Sequence, residues 1–436
     1  IEFMKKKIYL TLSLDIIHHG HIKIIKHAKS LGELTVGLLT DKAVSSHKRM
    51  PLLNYDQRKE ILKNIEGVSK IIPQTEWEHS KNILRYKPDI VVAGDDWKLT
   101  VAGKILRKDT VEAIKKIGAK LIEFPHTKNI SSHSLQNRFF KQGLALNERS
   151  NYFRRLIDAK DIVRILETHS PLSAMIAQNV SYTDKNKKTF EFDGFWSSSL
   201  TDSTLRGKPD IEILDLRDRL QNINDIFDVT TKPLVIDIDT GGKTEHLEIN
   251  IKTIERSGVS AVIMEDKKGL KKNSLFGTKV KQEQESIKEF SNKIKKGKNN
   301  VKNLMIIARV ESLILNKPIK DAISRAENYV NSGADGIMIH SRSDSPKEIF
   351  NFAEKFKKKY HDIPLVAVPS SYNKTKEIDL INNGFNVVIY ANHMLRASYP
   401  AMKKVALEIL KNKRSYESDK SLLSIKKILD LIPGTK

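Results

Sequence analysis

Residues 233–240 read PLVIDIDT, and this stretch decides the fold. Leu234, Val235 and Ile236 form an unbroken apolar run, which suits a strand buried on both faces. The run ends in Asp237 and Asp239, which alternation along an extended chain turns to one side. Seven more runs share this design of apolar residues ending in polar or charged ones: 162–169, 192–198, 261–266, 304–310, 336–340, 364–369 and 387–393. Amphipathic helical text separates most of them, as over 247–257, 320–332 and 346–358. Eight βα units over about 275 residues predict a (β/α)8 TIM-type barrel. The strand ends would then bring His169, Ser198, Asp237, Asp239, Glu265, Asp266, Arg309, Glu311, His340, Asn392 and His393 to one mouth.

Ahead of the barrel the rhythm is shorter. Strands are expected at 6–13 (KKIYLTLS), 34–40, 68–72, 88–94 and 119–124, with helices at 22–31 and 55–65 between them. Strand and helix alternate, so this block is expected to be a doubly wound, Rossmann-like parallel sheet of about 140 residues. Residues 141–161 turn polar and helical, with Arg149, Arg154 and Arg155 and no Gly/Ser/Pro run, and read as a connecting helix. The expected organisation is 4–140, 141–160 and 161–436, all within the α/β class.

The 436 residues hold 76 Lys and Arg against 53 Asp and Glu, a formal charge of +23. Cys is zero, which excludes disulfides, thiolate zinc sites and a cysteine nucleophile. No apolar run reaches the ~18 residues of a membrane span. Ile1-Glu2-Phe3 precedes Met4, which reads as the natural start, and nothing there resembles a cleavable signal. A soluble cytoplasmic protein without membrane partners is expected. The basic stretches 293–302 and 355–359 have little aromatic interleaving for base stacking. They read as solvated surface, or as attraction for small phosphorylated ligands, rather than for nucleic acid. A nucleic-acid-binding protein is the alternative from another class, and it would show steeply salt-dependent duplex binding.

His18-His19-Gly20-His21 falls between the first strand and the first helix. That position puts two imidazoles at a helix N-terminus, where free N–H groups and the dipole favour phosphate. Tyr55-Asp56-Gln57-Arg58, Gly94-Asp95-Asp96-Trp97 and Ile130-Ser131-Ser132 follow in order. Together these segments resemble the glycerol-3-phosphate cytidylyltransferase-like nucleotidyltransferases, over residues 6 to about 138. The resemblance implies that His18 and His21 stabilise the α-phosphate of CTP and that Arg58 contacts phosphate. It further implies that Asp95 and Trp97 shape the pocket, and that Ser131 and Ser132 open a helix gripping the β- and γ-phosphates. Leu12 stands where the family has glycine, and His126 and Asn129 depart from its Arg-Thr-x-Gly-Ile-Ser segment.

In the second block, Asp237, Asp239, Glu265 and Asp210 are too many carboxylates for a small anionic substrate unless a cation sits among them. Hard oxygen donors without thiolate select Mg2+ or Mn2+. Gly269 and Gly277 flank Lys271-Lys272-Asn273-Ser274, a basic loop able to close over a phosphoryl group.

Phe195-Trp196-Ser197-Ser198-Ser199-Leu200, Asp237-Ile238-Asp239-Thr240-Gly241, Glu265-Asp266-Lys267, Lys271-Lys272-Asn273-Ser274, Ala308-Arg309-Val310-Glu311, Ile339-His340-Ser341 and Ala391-Asn392-His393 keep a common order and spacing. They resemble the phosphoenolpyruvate mutase family of the isocitrate lyase superfamily, from about residue 162 to 431. The resemblance implies Asp237 as the direct Mg2+ ligand, with Asp210, Asp239 and Glu265 holding metal-bound waters. Trp196 and Ser198, with backbone N–H groups near Ser199 and Leu200, would bind the pyruvyl carboxylate and enolate oxygen. Arg309 and His340 would hold the phosphoryl group, with Lys271, Asn273 and Ser274 on the gating loop. Lyases of the superfamily use a loop cysteine, absent here. Phosphonopyruvate hydrolases typically carry Thr where Asn273 stands, so the resemblance favours the mutase. Ser197 and Ser199 replace the usual glycines, and Leu270 a usual proline.

The expected protein is bifunctional. Its barrel converts phosphoenolpyruvate to phosphonopyruvate, and its first domain transfers CMP from CTP to a phosphonate acceptor, 2-aminoethylphosphonate from pathway logic. A phosphonopyruvate hydrolase with a degenerate nucleotidyltransferase is the alternative among enzymes. Family likeness implies a homo-oligomer, either dimer or tetramer.

Overall fold

In the computed structural model, which describes residues 5–98, 101–125, 127, 146–185 and 188–432, five parallel strands build the first sheet. They are β1 (Lys7–Leu12), β2 (Glu33–Leu39), β3 (Lys70–Gln74), β4 (Ile90–Gly94) and β5 (Lys120–Phe124), in the order β3-β2-β1-β4-β5. The order reverses beside β1, so a crevice opens past the carboxyl ends of β1 and β4. Helix His19–Leu31 leaves from that point and buries Ile24, Ile25 and Ala28 against Ile8, Leu10 and Val36.

All eight expected barrel runs become strands of one closed parallel barrel. In chain order they are β6 (Val163–Glu167), β9 (Gly194–Ser197), β10 (Leu234–Asp237), β11 (Ala261–Glu265), β14 (Met305–Val310), β15 (Gly336–Ile339), β16 (Leu365–Ala367) and β17 (Val387–Tyr390), with β17 pairing back to β6. Two short hairpins interrupt the series: β7 (Ser181–Thr183) with β8 (Thr189–Glu191), and β12 (Lys267–Lys268) with β13 (Glu283–Gln284). Among the described residues no helix is long and apolar enough to cross a membrane.

Alternation sorts each strand into two layers. Val163, Ile165, Val235, Ala261, Ile263, Met305, Ile307 and Met338 point inward and fill the barrel. Their neighbours Leu166, Leu234, Ile236, Val262, Ile306 and Ile337 pack outward on the helices. A parallel sheet buried on both faces needs both layers apolar, which is why the strands read as continuous runs.

The segment expected as a connecting helix has a different job. Helix Leu146–Ala159 turns Tyr152, Phe153, Leu156 and Ala159 into the same cluster as the inward residues, closing the barrel floor. Met50, from the first domain, is buried in that cluster as well. The helix is therefore core of the second domain and contact surface for the first. Its amphipathic stripe is what packs it against the barrel. Phe153→Ala is expected to cost about 3–5 kcal/mol in denaturant unfolding of the barrel; a loss near zero would restore the connector reading.

Candidate active sites

The inward register of the barrel strands continues straight into chemistry. Ala261 and Ile263 are followed by Glu265, Met305 and Ile307 by Arg309 and Glu311, Val235 by Asp237, and Met338 by His340. The side chains that fill the barrel thus hand over, at the carboxyl ends of the strands, to ionisable groups at its mouth.

These groups form two linked clusters. In the first, the buried Lys271 ammonium lies 2.6 Å from Asp210 Oδ1 and also contacts Asp239 Oδ1 and Ser199 Oγ. Asn273 Nδ2 donates to the other Asp210 oxygen at 2.9 Å. Asp237 accepts from the Asp239 backbone N–H at 3.0 Å and from Ser199 Oγ at 3.1 Å. Burial alone would lower the Lys271 pKa, yet Asp239, Asp237 and Asp210 overcome it and raise it. Burial likewise opposes ionisation of Asp237, but Lys271, Arg309 and Arg219 hold its carboxyl below the usual range. Asp239 goes the other way, pushed up by burial and by Asp237.

Asp237 and Asp239 reach this cluster by a route that strand alternation does not describe. The strand stops at Asp237, and Asp239 takes a left-handed φ of +52° in the turn that follows. Such a backbone is costly for a residue with a Cβ and persists where its surroundings over-determine it. Here the Asp239 carbonyl accepts from Glu265 N–H at 2.8 Å, and the Ile238 N–H donates to Ile263 O at 2.9 Å.

The second cluster centres on Arg309. Its NH2 donates to Ser274 Oγ at 2.7 Å and lies 3.2 Å from Glu265 Oε2 and 3.0 Å from His340 Nδ1. Its Nε pairs with Glu311, which also stands 2.9 Å from His340 Nδ1. Burial and the Arg309 charge lower the His340 pKa, so the imidazole is neutral. Burial pushes Glu265 up to about 8 against the pull of Arg309 and Lys267. Ser274 Oγ donates to Glu311 at 2.6 Å, and Lys267 Nζ donates to Ser274 Oγ at 2.8 Å.

The loop that carries Lys271, Asn273 and Ser274 rises from the β12–β13 hairpin, with positive φ at Gly269 and Gly277. A Cβ on Gly277 would stand 2.4 Å from Arg342 Nε, so the loop is packed down hard there.

Donor chemistry at the mouth fits a hard divalent cation. Every candidate ligand is a carboxylate oxygen, and both Glu265 oxygens are buried without a hydrogen bond from the described residues. Among the described residues no three acidic or histidine side chains stand close enough to share an ion as they are. The Lys271 ammonium lies between Asp210 and Asp239.

Trp196 is buried with its indole N–H unpartnered among the described residues, Ser198 is the buried residue ahead of helix Ser199–Leu205, and Leu200 is half-buried. The two serines standing in for glycine have explicit partners: Ser197 Oγ donates to Asp202 at 2.8 Å, and Ser199 Oγ to Asp237.

Three residues expected at the mouth have partners outside the two clusters. His169 pairs with Glu167 at 2.7 Å, and Glu167 accepts from the Met394 and Leu395 N–H groups that open the last long helix. Asn392 and His393 lie past the inward register, and His393 is exposed beside Tyr390. Conversely, the sequence reading passed over Arg219. From the apolar stripe of helix Leu216–Val229 it donates to Asp202 Oδ2 at 2.9 Å, to Ser197 O at 3.2 Å and to the Asp237 carbonyl. Lys267 and Glu311 lay inside quoted motifs but carried no role there.

In the first domain, His18 caps helix His19–Leu31, its Nδ1 accepting from Gly20 N–H at 3.2 Å. His21 Nδ1 accepts from His18 N–H at 3.3 Å, and the two rings lie 4.0 Å apart. With both Nδ1 atoms accepting, the neutral tautomer carries its proton on Nε2. Burial and the His18 charge lower His21 to about 4, so it is neutral near pH 7. Gly20 is required by proximity, since a Cβ would come 2.9 Å from the His18 ring and 3.3 Å from Thr127 Oγ1.

Trp97, in the turn Asp95–Lys98 after β4, donates its indole N–H to Glu123 at 2.7 Å. Arg58, expected at phosphate, is instead wholly buried. It donates to Leu39 O at 2.8 Å, Leu53 O at 3.1 Å, Asp41 at 2.6 Å and Ser13 O. Helical spacing explains this burial, because Arg58 shares a face with buried Leu62. Ser131 and Ser132, with His126 and Asn129, lie outside the described residues.

Residues 153–410 match the family model described as Phosphoenolpyruvate phosphomutase, and residues 13–138 match the one described as Cytidylyltransferase-like. A phosphoenolpyruvate phosphomutase from Tetrahymena pyriformis is 30% identical over 294 residues, which cover 67% of this chain and 93% of the relative. The crystal structure of a phosphonopyruvate hydrolase in complex with oxalate and Mg2+ is 31% identical, covers 66% of this chain and 95% of that one, and gives a TM-score of 0.57. Over the first domain, a glycerol-3-phosphate cytidylyltransferase from Bacillus subtilis (strain 168) is 33% identical over 134 residues, 30% of this chain and 95% of the relative. With its closed barrel and the ionisable mouth that the barrel strands present, the chain belongs to the phosphoenolpyruvate phosphomutase family and carries a cytidylyltransferase-like domain ahead of the barrel.

Proposed function

We propose that the barrel isomerises phosphoenolpyruvate to phosphonopyruvate, and that the first domain transfers CMP from CTP to a phosphonate, with 2-aminoethylphosphonate as acceptor. One observation carries the barrel reading. Adjacent lid residues reach both clusters, Asn273 through Asp210 and Ser274 through Arg309 and Glu311. A lid so placed covers the carboxylate site and the phosphoryl site at once.

Asp237, with Asp210, Asp239 and Glu265, would hold Mg2+, which when bound supplies positive charge to the enolate and carboxylate oxygens. Trp196 N–H and the backbone N–H groups near Ser199 and Leu200 orient the pyruvyl end. Arg309 and neutral His340 hold the phosphoryl group while its bond to the enol oxygen breaks and its bond to C3 forms. The lid keeps water away, since water would divert the phosphoryl group to hydrolysis. In the first domain the Nε2–H donors of His18 and His21 face the α-phosphate, beside the N-terminal N–H groups of their helix. The likeness to phosphonopyruvate hydrolase supports a second reading, in which the lid admits water.

An oligomer is part of the proposal. Helix His393–Asn412 buries no residue and exposes Tyr399, Met402, Leu407 and Leu410. An apolar cavity of about 390 Å3, walled by Leu166, Tyr182, Phe190, Phe192 and Tyr390, lies beside its start. A second copy of the chain would cover such a surface.

Fed phosphonopyruvate and Mg2+, the enzyme should produce phosphoenolpyruvate by phosphorus NMR; inorganic phosphate as the only product would establish the hydrolase reading instead. Asp237→Ala should reduce barrel turnover at least ~100-fold and abolish high-affinity Mn2+ binding measured by EPR. Unaltered Mn2+ affinity would remove Asp237 from the metal site. His21→Ala should eliminate CTP turnover while leaving the barrel reaction intact. Since the unfolded histidine titrates near 6.5 and His21 near 4, the folded state is penalised as pH falls through that window. The same variant should therefore flatten the acid slope of stability between about pH 6.5 and 4, measured by urea melts.

A further inference from the structure

We infer that the barrel domain completes the phosphate-binding turn of the first domain, with Arg155 of the floor helix as a positioning residue for it. This rests on the reading of that turn as a CTP site.

The relay starts on the barrel side. Arg155 donates to Leu52 O at 2.7 Å and to Pro51 O at 2.9 Å, and its NH2 lies 3.3 Å from Asp41 Oδ2. Tyr152 OH, one turn earlier, donates to Met50 O at 3.4 Å, and Met50 itself is buried in the barrel floor. Three consecutive carbonyls of the first domain, at 50, 51 and 52, are thus held by one helix of the second.

Asp41 passes the restraint on. Its other oxygen accepts from Arg58 NH2 at 2.6 Å, so one carboxylate is shared between a guanidinium of each domain. Arg58 then grips the Ser13 carbonyl, and Leu53 N–H donates to Asp15 Oδ1 at 3.2 Å. Between those two anchors sits Leu14, buried, with a left-handed φ of +51°. A branched side chain in that conformation is strained and must be held by its neighbours. Four residues further on stands His18, whose orientation depends on how this turn leaves β1. The strained turn and the segment 50–58 fix each other, and Arg155 fixes the segment.

Two charged groups share Asp41, so removing Arg155 weakens an existing network rather than leaving a bare buried charge. The loss should be felt as looseness of the turn, not as collapse of either domain.

Titration calorimetry of the full chain with CTP and Mg2+ tests this, alongside hydrogen exchange of amides 14–21. Arg155→Met should raise the CTP dissociation constant about tenfold and speed exchange across 14–21, with phosphoenolpyruvate mutase turnover unchanged. Arg155→Lys should fall between the two. CTP affinity and exchange both unchanged in Arg155→Met would overturn the relay. If Arg155→Met lost barrel turnover through misfolding, Arg155→Lys would carry the same comparison. A wild-type chain that fails to bind CTP would refute the nucleotide reading, while the exchange rates would still decide whether Arg155 holds the turn.

Discussion

Taking many carboxylates out of water at one end of a barrel is the constraint from which the rest of this molecule follows. An uncompensated buried carboxylate costs several kcal/mol, so Asp202, Asp237, Asp239, Glu265 and Glu311 can be buried together only beside buried cations. Arg219, Lys267, Lys271 and Arg309 provide them, and each arrives from a different element: a helix, a hairpin, the lid and a strand. The charge pattern therefore dictates how those elements must pack, and an enzyme mouth results from satisfying it.

The lid shows how this constraint connects to chemistry. Lys271 lies where positive charge is demanded by Asp210 and Asp239, and this draws Asn273 and Ser274 onto the two clusters. The isomerisation proposed for the barrel, which moves a phosphoryl fragment between oxygen and carbon, would need this combination of fixed charge and exclusion of water. Ser197 and Ser199 add hydroxyls to the same network, so positions that differ from the usual glycines are integrated into it.

Joining two domains here created more than proximity. The floor helix Leu146–Ala159 closes one barrel and grips three carbonyls of the neighbouring domain. Small α/β domains bury a modest fraction of their surface. A strained turn such as the one at Leu14 is easier to maintain when a larger, rigid neighbour braces the segment that holds it.

Hydrophobic rhythm alone determined both folds, because strands buried on two faces must be continuously apolar and a parallel sheet must alternate them with amphipathic helices. It also determined the residues at most strand ends, since Glu265, Arg309 and His340 continue a register of period two. Three arginines escaped it for one reason. Arg58, Arg219 and Arg325, the last on helix Ile319–Asn331, each sit on the apolar stripe of a helix, where a charge looks like an interruption, and each is buried there by acids or carbonyls from distant segments. Each has at least one acidic partner 17 or more residues away along the chain, Asp41 for Arg58, Asp202 for Arg219 and Asp266 for Arg325, beyond any local pattern. The left-handed turn at Asp239, the withdrawal of Arg58 from the crevice and the use of residues 146–159 as a floor were likewise decided by tertiary packing, because burial of a polar group is specified by what surrounds it in space.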